Sequence, residues 1–313
     1  MSGGKILHEG ESGVSRRFAL AASLFLLGAA ATRALAAAMS SEPLAPIPIP
    51  PQAQAKEAIA ALPGTRLAYW DTGGNGNAIV LLHPATGSAR IWSYQQPVFV
   101  RSGYRVIAYS RRGYGGSDPV PKENPGTAAG DLQNLVDSLG LKKFHLVGSA
   151  AGGGIAMDYA HSHPERLLSL VIACAIGGVV DKDYLELSAR LRPKGFDEMP
   201  AAFRELSPAY RAANPAGTDA WAALEHSAIT GNRVGQQSAN KISWASLANM
   251  KVPALVIGGD ADLAVPPPML RLYASHIPGA EVVSVPEAGH SLYWERPDLF
   301  NRALLDFFAK HRS

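Results

Sequence analysis

The chain of 313 residues contains one cysteine, Cys174, inside the apolar run LSLVIACAI. No intramolecular disulfide can form, and a lone thiol with apolar flanks reads as a core filler. Charge is sparse as well: 18% of residues are charged, 29 basic against 26 acidic, for a formal net charge of +3. Residues 1–38 hold Lys5, Arg16, Arg17 and Arg33 against Glu9 and Glu11, so the remainder carries only +1. That balance excludes a nucleic-acid partner bound through a basic face. There is no Cys/His cluster with metal-ligand spacing, no G-x-G-x-x-G and no internal repeat, so neither a metal nor any other cofactor is expected. Nothing in the sequence addresses the oligomeric state.

What is present begins with a segment resembling an export leader. A polar start is followed by Ser15-Arg16-Arg17-Phe18, an apolar run to Ala31, and small residues ending at Ala36-Ala37-Ala38. The apolar run is shorter than the roughly 20 residues a spanning helix needs. Residues 1–38 are therefore expected to be a cleaved signal peptide of twin-arginine type, leaving a periplasmic or secreted protein without stable membrane insertion. Residues 39–57, rich in proline, are expected to form an extended linker.

From Ala58 onward, apolar runs alternate with helix-length segments. TRLAYWD, NAIVLLHP, YRVIAYS, FHLVGSA, LLSLVIACA, ALVIGGD and EVVSVPE read as strands. Strands alternating with helices predict an α/β fold with a mainly parallel, doubly wound sheet. The alternation breaks after Gly177, where YLELSARL, PAAFRELSPAYRAA and TDAWAALEHSAI have helical spacing. Residues 178–248 are thus expected to form a helical cap, and 58–177 with 249–313 the core. Apolar residues at helical spacing are mostly packing residues. Within the cap Phe203, Trp221, His226 and Trp244 are the candidates for contact with a small-molecule substrate.

The stretch Phe144–Gly154, FHLVGSAAGGG, is a buried strand turning into a helix through residues small enough for close backbone approach. It resembles the nucleophile elbow of the α/β-hydrolase family, G-x-S-x-G. The resemblance implies that Ala150 occupies the nucleophile position, one residue beyond Ser149. It also implies an oxyanion hole from the backbone N–H groups of Ala85, in LLHPATGS, and Ala151. The family's histidine maps to His290, in VPEAGHSLYWERP, and its acid to Asp262, with Asp260 as runner-up. The helical insertion matches the family's cap, between the sixth and seventh strands. YSRRGYGGSDP, residues 109–119, matches a glycine-rich loop of many relatives.

The implied activity is hydrolysis of a mainly apolar carboxylic ester or lactone. Alanine at the nucleophile position leaves three possibilities open. The chain is an inactivated variant of a serine hydrolase; or His290 and Asp262 act as a general base without a covalent step, as in a carbon–carbon hydrolase, lyase or cofactor-free enzyme; or the protein binds a small molecule without turnover.

Overall fold

The computed structural model describes residues 45–176, 178–230 and 235–312. The expected leader and the first part of the expected linker lie outside the described residues. Eight strands form one sheet: β1 (Lys56–Leu62), β2 (Thr65–Asp71), β3 (Ala78–Leu82), β4 (Arg105–Tyr109), β5 (Phe144–Ser149), β6 (Leu167–Ala173), β7 (Ala254–Gly259) and β8 (Glu281–Val285). Their order is β1-β2-β4-β3-β5-β6-β7-β8. β1 pairs antiparallel with β2, and β2 with β4; every later pairing is parallel. This is the architecture of an α/β-hydrolase fold.

Every residue of β3, β5 and β7 is buried, which is why those strands read as continuous apolar runs. Alternate side chains face opposite layers. Val80, Leu82 and Leu146 pack under the helices Ala128–Ser138, Ala151–Ser162 and Pro267–Ser275. On the other face lie Gln96–Arg101 and Pro297–Ala309, where the rings of Phe99 and Phe308 meet edge to face at 6.0 Å.

The linker differs from expectation. The first strand starts at Lys56, inside the segment assigned to the tether, and the proline-rich stretch before it is held by the core. Tyr94 Oη donates to the Ile47 carbonyl at 2.8 Å. The Ala53 N–H donates to Gln96 Oε1 at 2.8 Å, and Gln96 Nε2 returns a bond to the Ala53 carbonyl at 2.9 Å. Proline lacks an N–H but keeps its carbonyl, so such a chain can be fastened by side-chain donors without entering the sheet.

Between β6 and β7 the described residues form the helices Lys182–Leu191, Ala201–Glu205, Pro208–Ala213, Pro215–Ala228 and Trp244–Ala248. The Asp158 carboxylate, on the helix after β5, fastens this insertion by accepting the N–H groups of Ala239 (2.9 Å) and Asn240 (2.8 Å). Among the described residues no helix is long and apolar enough to cross a membrane.

The turn after β5 shows why its small residues are needed. A Cβ at Gly152 would run into the Leu82 carbonyl, and one at Gly148 into the carbonyl of Gly152. Between them Ala150 adopts φ 49°, ψ −114°, a conformation L-residues rarely enter, and its N–H is tied to the Ala173 carbonyl at 2.9 Å. Such strain costs of order 1–3 kcal/mol, partly offset in a glycine variant by the greater freedom of the unfolded chain. Ala150→Gly is therefore expected to stabilise the protein by about 1 kcal/mol. The check is the urea midpoint at unchanged slope; a lower midpoint would mean that the turn is not strained.

Candidate active site

Two loops at the carboxyl ends of the parallel strands bring His290 and Asp262 together. Asp262 follows β7 and is held twice: its Oδ1 accepts the N–H groups of Ala264 and Val265, both at 2.8 Å. Its Oδ2 lies 2.8 Å from His290 Nδ1. With Nδ1 committed to Asp262, Nε2 is the nitrogen left for a reacting group. Both residues are buried. The runner-up, Asp260, instead accepts the Glu287 N–H at 2.6 Å and serves as a loop pin.

The insertion brings a second, unforeseen carboxyl to the His290 loop. Glu205, at the end of the helix Ala201–Glu205, accepts from Thr86 Oγ1 at 3.2 Å and from Ser291 Oγ at 3.2 Å. It thereby bridges the residue after Ala85 and the residue after His290. Burial raises its pKa. Burial alone would lower the His290 pKa, but the Asp262 and Glu205 carboxylates outweigh it and push the value up to about 9. Glu295 binds the loop from beneath, accepting the N–H groups of Gly289 (3.0 Å) and Ser207 (2.8 Å). Burial pushes its pKa up to about 7.

Ala85 and Ala151 line one cleft of about 380 Å³. Ala151 opens the helix after the elbow, so its N–H has no partner one turn earlier and is available to an anion. On the other side, buried His83 anchors the loop containing Pro84 and Ala85: its Nδ1 lies 2.7 Å from the Pro84 carbonyl, and its Nε2 accepts the Arg111 N–H at 3.0 Å. This network assigns the proton to Nδ1, in keeping with a pKa held well below the usual histidine range by burial and by Arg111. Ser149 closes β5 with its side chain fully buried, and its Oγ has no hydrogen-bond partner among the described residues.

The four cap residues do not converge on that cleft. Trp221 is 2% exposed and donates from Nε1 to Ser291 Oγ at 3.1 Å, bracing the His290 loop from behind. Trp244 stacks on His276 at 4.1 Å and meets Tyr184 edge to face, packing the insertion on the core. Phe203 is half exposed under the Arg211 guanidinium, and His226 is exposed beside Glu225. Helical spacing marked the apolar faces correctly, but those faces pack against the core or meet solvent. Among the described residues no group of three or more His, Cys, Asp or Glu side chains is placed to share a metal ion.

Comparison with known proteins agrees with the fold. Residues 77–297 match the family model described as alpha/beta hydrolase fold. The chain is 30% identical over 268 residues to a 2-hydroxy-6-oxononadienedioate/2-hydroxy-6-oxononatrienedioate hydrolase of Burkholderia vietnamiensis, covering 78% of this chain and 91% of that protein. Among solved structures, an enol-lactonase of Burkholderia xenovorans superposes with a TM-score of 0.66 at 26% identity, over 80% of this chain and 100% of that one. An esterase of Thermogutta terrifontis gives a TM-score of 0.67 at 25% identity, over 83% and 100% respectively.

Proposed function

Because the chain belongs to the α/β-hydrolase fold family, we propose that it hydrolyses a mainly apolar carboxylic ester or lactone through water activated by His290, without a covalent intermediate. The observation that carries this is the 2.8 Å His290–Asp262 pair, in a chain whose elbow apex holds a methyl group where a hydroxyl would stand. A base without a nucleophile on the chain has water as its partner.

In this mechanism His290 Nε2 takes a proton from water as the oxygen attacks the carbonyl carbon. Asp262 holds the tautomer and stabilises the imidazolium. The carbonyl oxygen gains its charge between the N–H groups of Ala85 and Ala151, donors already fixed by the His83 anchor and the helix start. Collapse breaks the bond to the leaving oxygen, which takes the proton back from His290. The names of the relatives, a 2-hydroxy-6-oxononadienedioate/2-hydroxy-6-oxononatrienedioate hydrolase, an enol-lactonase and an esterase, support hydrolysis of this kind. On the same proposal the enzyme works after export, in the periplasm or the medium, supported by the leader features of residues 1–38.

The test is turnover of a panel of aryl esters and lactones in H2O and D2O, with the mass of the intact chain followed throughout. Slow hydrolysis, slower still in D2O and with no mass added to the chain, is the expected result. A covalent adduct, or no turnover across the panel, overturns the proposal.

A further inference from the structure

The glycine-rich loop after β4 carries two adjacent arginines with different fates. Arg112 is buried in a two-bonded ion pair with Asp131, at 2.7 and 2.6 Å. Arg111 has no such partner. Among the described residues no carboxylate pairs with it, whereas Arg66, Arg105, Arg166 and Arg296 each hold one. Its Nη2 donates to the Pro84 carbonyl at 3.1 Å, and its guanidinium carbon sits 4.7 Å from the centre of the Tyr114 ring. Its Nε is buried and has no hydrogen-bond partner among the described residues.

Arg111 lines the cleft of Ala85 and Ala151 together with Tyr114, Val120 and Ile155. The placement is more specific than shared lining. The Pro84 carbonyl that receives Nη2 belongs to the same peptide group as the Ala85 N–H. The guanidinium is therefore fixed to the far side of one expected oxyanion donor, one peptide width away. A guanidinium taken out of water without an anion is costly, and such groups concentrate where a ligand supplies the missing charge. Its positive charge suits a carboxylate, and the apolar walls at Val120 and Ile155 suit a hydrocarbon spacer.

We propose that Arg111 is the anion anchor of this cleft, so that the substrate carries a carboxylate a short apolar spacer away from its scissile carbonyl. This rests on the proposed function for the identity of the scissile group, but the recognition of the carboxylate is independent of turnover. The substrate class thus narrows from apolar esters or lactones to those bearing one acidic end.

The experiment is calorimetric binding of 4-phenylbutyrate and of 4-phenylbutyramide, equal in size and differing in charge, to the intact protein. The acid is expected to bind at least about tenfold more tightly, the scale of a charge-assisted contact. Arg111→Gln should bring the ratio to about one, and Arg111→Lys, which keeps the charge, should retain part of the preference. Circular dichroism confirms that both variants are folded. Arg111 also supports the Pro84 loop, but a purely structural role would weaken acid and amide alike and leave their ratio unchanged; that result overturns the proposal, as does equal binding, or no binding, of the two probes by the unaltered protein. The outcome does not depend on hydrolysis, so a silent ester panel with a preserved acid preference would sink the proposed reaction and leave the anchor standing.

Discussion

Ala150→Ser is expected to raise the hydrolysis of small aryl esters by at least about a hundredfold, the scale of supplying a positioned covalent nucleophile. The turn already has the required shape. Ala150 holds φ 49°, ψ −114°, with its N–H pinned to the Ala173 carbonyl, so a hydroxyl on its Cβ would be carried to the apex without backbone adjustment. His290 is oriented by Asp262, and Ala85 and Ala151 line one cleft. The missing part is one oxygen. Its signature would be a burst of phenol and a transient acyl mass on the chain, neither of which water attack can produce. Ser149 cannot supply the same effect, because its Oγ is sealed within the sheet. If folded Ala150→Ser shows neither burst nor gain, the apex does not lie within reach of His290 Nε2, and the hydrolase proposal would need a different base.

The parts of this arrangement visible in the sequence are those set by local rules. Buried strands announce themselves as apolar runs, and the glycines at 148, 152 and 153 betray a turn where backbones meet. The segments resembling the family's acid and histidine loops point to Asp262 and His290, which lie 2.8 Å apart. β1 was hidden because KEAIAAL sits at the sheet edge with most of its side chains at least partly exposed, so it has neither the continuous run of a central strand nor a strong alternation. Glu205 and Arg111 were hidden for another reason. Each acquires meaning only through residues far along the chain: Glu205 through Thr86, 119 positions away, and Arg111 through Pro84, 27 positions away. The cap aromatics show the converse. Their helical spacing correctly signals a packed face, but spacing does not say whether that face meets the cleft or the core.

His290→Ala is expected to remove turnover by about 10²- to 10⁴-fold, the usual contribution of a positioned general base, and the pH dependence of the unaltered protein should identify the group removed. With its pKa pushed up to about 9, His290 is mostly protonated at neutral pH and cannot accept a proton from water. Activity should therefore climb with pH and level off only above about 9. Glu205 is one of the two carboxylates that hold the proton on, so Glu205→Gln should move the midpoint to lower pH. Stability runs the other way. The folded pKa lies above the unfolded value of about 6.5, so the stabilisation from protonated His290 is fully present below that value and is lost as pH rises through about 9. The base form that drives the chemistry is thus the form the fold holds less tightly, and the ion pair with Asp262 weakens as catalysis turns on. A rate profile that keeps its midpoint in His290→Ala would assign the titration to another group and remove His290 from the mechanism.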